Sequence, residues 1–296
     1  MESYHHKGHT CIPSLLTREE ISLYQPAIYK TVEKYFNQMN NIESTVSGQD
    51  QRWGFIKALM LLNLWRLNPI CRRLVLSKKL GGVAAQLMGV SKVRLFRDQS
   101  YFKYPGGERT PWHQDAYFLP LAYCKTVTFW IALGTIAPDM SPMRYVDGSH
   151  RFCFLGKITN KENVMNELEV YFQDLGCELT TYNNLKPGEA IVHTGWTIHG
   201  CPPNTSSKLC QALAIVYYED GSQVSFEYLI FFPTFAPVFT LAEQGKSDCT
   251  YLTVKLFLFL NLRRQVFHRE IIWRLRCFEF FKSYIHLFIC EVFFHP

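Results

Sequence analysis

Thr110-Pro111-Trp112-His113-Gln114-Asp115 is the stretch on which the reading of this chain turns. His113 and Asp115 are separated by one residue. On an extended strand, residues i and i+2 point to the same face, so an imidazole and a carboxylate project together, about 6–7 Å apart along the strand. That spacing suits two adjacent ligands of one metal ion. A third ligand must come from elsewhere, and Trp196-Thr197-Ile198-His199-Gly200 offers the best one. Two histidines and one carboxylate on one face of a metal, with the opposite face open, form the donor set of non-haem Fe(II) sites. A bare His-X-Asp triplet recurs by chance in many chains; its weight comes from its surroundings.

Those surroundings are β-rich. Val93 to Lys103 reads as a long strand, and Pro105-Gly106-Gly107 as a turn. His113-Gln114-Asp115 opens a second extended stretch. Thr126-Val127-Thr128-Phe129-Trp130-Ile131-Ala132-Leu133 is β-branched and aromatic, the composition of a buried central strand. Further strands are expected at Met143–Val146, ending in Asp147-Gly148-Ser149-His150, and at Glu178–Tyr182, Ala190–His193 and Leu209–Tyr218. Lys186-Pro187-Gly188-Glu189 is a tight turn, and residues 155–175 read as a loop with a short helix. Short strands at regular spacing, parted by Gly/Pro turns, indicate a sandwich or jelly roll.

The first ninety residues differ. Residues 1–15, with His5, His6 and His9, read as a flexible, solvated terminus. Thr17 and Glu20 form a capping box ahead of a helix over 18–38, with a break expected at Pro26. Asn37 to Asp50 is loop-like. Ile56 to Leu67 has helical periodicity, and a further helix runs from Pro69 to about Met88, with Gly81-Gly82 as an interruption. These helices buttress the sheet.

The totals bound the function. The chain has 296 residues, 48% apolar and 19% charged, with a formal net charge of +6, so a buried core is expected. Lys and Arg are scattered and no RNA-binding motif or basic arm occurs, which argues against nucleic acid as a partner. The ten Cys are irregularly spaced with no Cys-X-X-Cys pair. The first residues lack a signal-peptide core, and the chain ends without a peroxisomal tripeptide. Reduced thiols in a cytoplasmic protein follow. Residues 222–296 form a divergent apolar and basic tail; Ile271 to Phe294, with Arg274, Arg276 and Lys282, suits either a membrane surface or a packed helical extension.

Residues 92–220 resemble the phytanoyl-CoA dioxygenase family of Fe(II)- and 2-oxoglutarate-dependent oxygenases. The pieces that carry the resemblance are Asp98-Gln99, Phe102-Lys103-Tyr104-Pro105-Gly106-Gly107, Thr110 to Asp115, Val127 to Leu133, Ser141 to Arg151, Lys186 to Glu189, and His199-Gly200-Cys201-Pro202-Pro203-Asn204-Thr205-Ser206. The resemblance implies a mainly β fold with flanking α. Its core would be a double-stranded β-helix, a cupin-like jelly roll, over 91–221, preceded by helices over 16–90. It implies His113, Asp115 and His199 as iron ligands, with His193 the rival for the third place and His150 a turn residue. It further implies 2-oxoglutarate as cosubstrate and O2 as oxidant. Succinate and CO2 would be co-products, and a small organic or lipid-like molecule the substrate. By family position Gln99 and Trp130 line the cosubstrate pocket, with Lys103 near it.

The chain departs from the family where the distal carboxylate of 2-oxoglutarate meets an Arg, eleven residues after the distal His. Cys210 stands there. A thiol cannot act as a bidentate guanidinium, and Lys208, two residues upstream, is the expected substitute. The alternative is a non-catalytic metal-binding relative with weakened 2-oxoglutarate binding.

Overall fold

A computed structural model describes residues 2–47, 58–121, 125–153 and 162–223. Residues 224–296, most of the expected tail, lie outside the described residues, as do residues 154–161. Among the described residues, ten strands form two antiparallel sheets. In chain order the strands are β1 (His9–Ile12), β2 (Ala58–Leu59), β3 (Val93–Lys103), β4 (Thr110–His113) and β5 (Thr126–Ala132). They continue with β6 (Arg144–Val146), β7 (Leu179–Thr181), β8 (Ala190–Thr194), β9 (His199–Cys201) and β10 (Cys210–Glu219). The larger sheet runs β1-β8-β5-β10-β3-β2 and the smaller β4-β9-β6-β7. From β3 to β10 the chain crosses from one sheet to the other at every step but β6 to β7, the connectivity of a jelly roll.

Strand β5 shows why the layers form. All seven of its residues are buried, because each face meets a different core. Val127, Phe129 and Ile131 pack with Leu213, Ile215 and Tyr217 of β10 against the helices. Trp130 and Ala132 face inward with Ala212 and Ala214, toward the smaller sheet. Strand β3 alternates in the same way: Phe102 joins the helix-side core, while Arg97, Gln99, Tyr101 and Lys103 line the cavity between the sheets.

The helices are α1 (Glu2–Lys7), α2 (Arg18–Ser47), α3 (Leu64–Leu67), α4 (Pro69–Val75), α5 (Lys78–Met88) and α6 (Glu162–Asp174). The capping box opens α2: Thr17 Oγ1 accepts from Glu20 N at 3.2 Å, and Glu20 Oε2 accepts from Thr17 N at 2.8 Å. The helix passes through Pro26 and the expected loop beyond Asn37. Pro26 lies in its third turn and deletes one backbone hydrogen bond without ending it. The Ile56–Leu67 helix is not formed; its described part holds β2 and the single turn α3. The helix after Pro69 breaks at Leu76-Ser77 rather than at Gly81-Gly82, because the Ser77 hydroxyl accepts from Leu80 N and caps a new helix.

The N-terminus departs most from expectation. Residues 2–12 are not a mobile end. Strand β1 pairs antiparallel with β8, His9 opposite His193 and Ile12 opposite Ala190. Tyr4 and His9 are buried. His9 Nδ1 lies 3.0 Å from the Tyr182 hydroxyl, His9 Nε2 lies 2.9 Å from Asp147 Oδ1, and the ring stacks on Tyr145 at 4.5 Å. A polar, His-rich sequence gives no apolar signal for this strand; what holds it is hydrogen bonding to groups supplied by β6 and β7. Among the described residues, no helix is long and apolar enough to cross a membrane.

Candidate metal centre

Strands β4 and β9 pair so that His113 faces His199 directly, and their rings lie 4.1 Å apart. Asp115 comes from the first position of a 3-10 turn, Asp115–Phe118, rather than from the strand. Gln114, between His113 and Asp115, keeps an extended backbone (φ −117, ψ 125), so the two side chains still share a face. The Ala116 N–H donates to the Gly195 carbonyl at 2.8 Å and ties the turn to the end of β8.

The three side chains present one ligand atom each, all within 4.8 Å of one another. Asp115 Oδ1 is 3.6 Å from His113 Nε2 and 3.8 Å from His199 Nε2. The remaining polar atoms are engaged elsewhere. His113 Nδ1 lies 2.8 Å from the Pro111 carbonyl and His199 Nδ1 lies 2.9 Å from the Thr197 carbonyl. A carbonyl only accepts, so each Nδ1 carries a proton and each Nε2 is turned to the centre. Asp115 Oδ2 accepts from the Thr128 hydroxyl at 2.6 Å and faces His193 Nε2 at 3.1 Å. This is the pattern by which outer groups orient metal ligands.

The electrostatics hold two of the three side chains in the form that binds a cation. Burial pushes the Asp115 carboxyl up, but His199, His113 and His193 outweigh it and hold it well below the usual carboxylate range. Burial, with the neighbouring His113 and His193, holds the His199 imidazole well below its ordinary value and keeps it neutral. His113 moves the other way: burial lowers its imidazole, but the hydrogen bond and charge of Asp115 outweigh burial and raise it, so metal binding has to displace a proton there.

His193, the rival for the third place, lies outside the converging group of ligand atoms. It stands behind Asp115, and its Nδ1 is 3.0 Å from the Tyr145 hydroxyl. His150 is remote from the centre, with its Nε2 3.2 Å from the His5 carbonyl. A cavity of about 670 Å3, counting its open mouth, lies over the three side chains.

The sequence pattern of the phytanoyl-CoA dioxygenase family matches residues 4–211. The chain belongs to that family. Solved structures agree with the fold of this phytanoyl-CoA dioxygenase family member. The alpha-ketoglutarate-dependent carbocyclase SnoK from nogalamycin biosynthesis superposes with a TM-score of 0.59 at 23% identity, covering 76% of this chain and 84% of its own. EctD from S. alaskensis, with 2-oxoglutarate and 5-hydroxyectoine, gives 0.58 at 17% identity, covering 76% of each chain. The epimerase SnoN, in complex with Fe3+, alpha ketoglutarate and nogalamycin RO, gives 0.56 at 18%, covering 78% of this chain and 86% of its own. At these identities the likeness is one of fold. No curated protein sequence matches the chain significantly.

Of the residues singled out by the family resemblance, Gln99 and Trp130 are buried and line the cavity beside the three metal-facing side chains. Lys208 does not join them. Its side chain is exposed, and its backbone carbonyl accepts from Asn204 Nδ2 in the turn before β10. Cys210 lines the cavity and is buried, which pushes its thiol up to about 12.

Two contributors escaped the sequence reading of this family member, His193 as a partner of Asp115 and Tyr145 behind it, while Lys103, expected near the pocket, lines the cavity. Lys103 is four residues after Gln99 on one strand. The period-2 alternation already put the two on one face.

Proposed function

We propose that this chain is an Fe(II)- and 2-oxoglutarate-dependent dioxygenase that hydroxylates a small organic or lipid-like substrate and releases succinate and CO2. The observation that carries the reading is the division of labour at Asp115. Its Oδ2 is taken by Thr128 and His193, while Oδ1 stays turned toward the Nε2 atoms of His113 and His199. The buried Asp115 carboxylate and the neutral His199 imidazole turned toward one another beside His113 leave lone pairs that a cation between them would satisfy. Two neutral imidazoles and a carboxylate are donors that suit Fe(II).

In this reading His113, Asp115 and His199 hold the ion, which supplies the activation of O2 and of the keto acid when bound. Gln99 and Trp130 line the place for 2-oxoglutarate, and the walls of the two sheets keep bulk water from it. Family membership supports the assignment, as do relatives of the same fold solved with iron or 2-oxoglutarate.

The test is an anaerobic Fe(II) titration followed by 2-oxoglutarate, with metal content and visible charge-transfer absorption as readouts. Wild-type protein is expected to bind one iron and develop the absorption. The double variant His113→Ala, Asp115→Ala is expected to lose both. Equal metal content in the two proteins sinks the reading.

A second reading, a metal-binding relative without turnover, is favoured by one observation: Cys210 supplies no guanidinium. Cys210→Arg separates the two. Gain of succinate release over an inert parent supports the second reading, and turnover by the parent removes it.

A further inference from the structure

We propose that Lys103 takes the place of the missing guanidinium and anchors the distal carboxylate of the keto acid; this rests on the dioxygenase reading above. Lys103 is only 5% exposed. Its Nζ donates to Ser141 Oγ at 2.8 Å, Cys201 Sγ at 3.0 Å and Thr110 Oγ1 at 3.2 Å. Among the described residues none of these partners is a carboxylate. A lysine this buried is normally matched by an acid, because desolvating an ammonium costs several kcal/mol when it is not paired. Lys103 lines the same cavity as His113, Asp115 and His199. The side chain therefore presents, inside the cosubstrate cavity, a cation with no carboxylate partner among the described residues.

Position supports the assignment in two ways. Lys103 is the direct cross-strand partner of Cys210. Opposed residues in an antiparallel pair have Cα atoms about 4.5–5.5 Å apart, so the cation has moved one strand over within the same sheet. The short Cys210 side chain leaves room for it. The second support is the β4–β9 ladder, where His113 pairs with His199 and Thr110 pairs with Cys201. Thr110 and Cys201 are two of the three groups that receive Lys103. Cys201 is two residues beyond His199, roughly 6–7 Å along a strand. That separation matches the reach of a five-carbon diacid whose keto end lies at the metal-facing triad. Ser141, Thr110 and Lys103 together offer two hydroxyls and an ammonium to a carboxylate. Arg97, the other cation on this cavity, is six residues from Lys103 on β3, far from the Thr110–Cys201 pair.

The experiment compares two keto acids on the full chain loaded anaerobically with Fe(II). One is 2-oxoglutarate; the other is 2-oxopentanoate, which has a methyl group where the distal carboxylate would be. Affinities are measured by calorimetry, without turnover. Wild-type protein is expected to prefer 2-oxoglutarate. Lys103→Met is expected to lose tenfold to a hundredfold in 2-oxoglutarate affinity and to bind 2-oxopentanoate within about threefold of wild type. Adding Cys210→Arg to Lys103→Met is expected to restore the preference, since the guanidinium enters from the paired position. Retained preference in Lys103→Met overturns the proposal. Equal weakening of both keto acids overturns it too, because that marks a structural lysine. A preference that collapses in Arg97→Gln instead assigns the carboxylate to Arg97 and overturns it. Wild-type binding of 2-oxopentanoate without preference for 2-oxoglutarate removes the anchor and leaves the dioxygenase reading standing. Binding of neither keto acid by iron-loaded wild type takes down both.

Discussion

His193 Nε2 lies 3.1 Å from Oδ2 of Asp115, while the other oxygen, Oδ1, is the one nearest His113 and His199. Its other nitrogen is held by Tyr145, whose ring stacks on His9. The carboxylate is therefore fixed by groups on β8 and β6 as well as by its own turn. Removing such a partner typically weakens metal binding tenfold to a hundredfold. His193→Ala is expected to fall in that range, and His193→Gln, which can still donate, to lose less. Competition with a chelator of known affinity measures it. Unchanged affinity in His193→Ala would mean that Thr128 alone orients Asp115.

Gly200 stands between His199 and Cys201, where β9 runs close against β4. A Cβ there would lie 2.8 Å from the Thr110 carbonyl oxygen and 3.2 Å from the Pro111 carbonyl. Both neighbours are backbone, so β4 has to move, and it carries His113. Gly200→Ala is expected to destabilise the protein by about 1–3 kcal/mol and to weaken metal binding. Gly82→Ala serves as the contrast. It lies inside α5 with nothing within 4 Å of the added carbon, and is expected to stabilise by about 0.4–1 kcal/mol. Thermal unfolding of the two variants should move in opposite directions.

The long strands beside the site were legible because they alternate between two apolar cores, whereas the three-residue strand β9 that carries His199 was not expected. Val127, Phe129 and Ile131 face the helices and Thr128, Trp130 and Ala132 face the cavity, so β5 reads as an unbroken apolar run. The His-X-Asp pair and the distal His were legible from residue type, although Asp115 reaches the centre from a turn. What was hidden is polar and non-local. His9 is held in the sheet by Asp147 and Tyr182, 138 and 173 residues away, and nothing in a His-rich terminus announces that. Lys208 was chosen over Lys103 by nearness in sequence to Cys210. Across the β10–β3 pair the nearer cation is Lys103. Pro26 misled because a proline this early in a long helix costs one hydrogen bond, while burial of Tyr24, Ile28 and Val32 keeps the helix in place.

The docked N-terminus gives a prediction of its own. His9 fills a buried place and satisfies Asp147 and Tyr182. His9→Ala leaves both without that partner and is expected to cost about 1–3 kcal/mol. Deletion of residues 1–12 also uncovers the edge of β8 and removes the buried Tyr4. It is expected to lower the urea midpoint further and to promote aggregation through the exposed edge. A deletion variant with the parent's midpoint and solubility would show that β1 adds nothing to the sheet.

Asp98 sets a pH dependence. The residue is fully buried, Oδ1 accepts only a 3.4 Å bond from Trp65 N, and Oδ2 has no hydrogen-bond partner among the described residues. Burial outweighs the backbone donors and raises its carboxyl from 3.8 to about 7. Between about pH 4 and pH 7 the folded chain keeps a proton that the unfolded chain has released. Stability from this group is therefore complete below pH 4, falls as pH rises through that window, and levels off above it. Asp98→Asn keeps the shape and cannot ionise. It is expected to be more stable than the parent at pH 8, by a few kcal/mol at most, with the gap closing toward pH 4. Urea unfolding of both proteins across pH 4 to 8 measures the gap. Parallel profiles would mean that Asp98 stays ionised inside the fold, with a donor that the geometry at Trp65 does not supply.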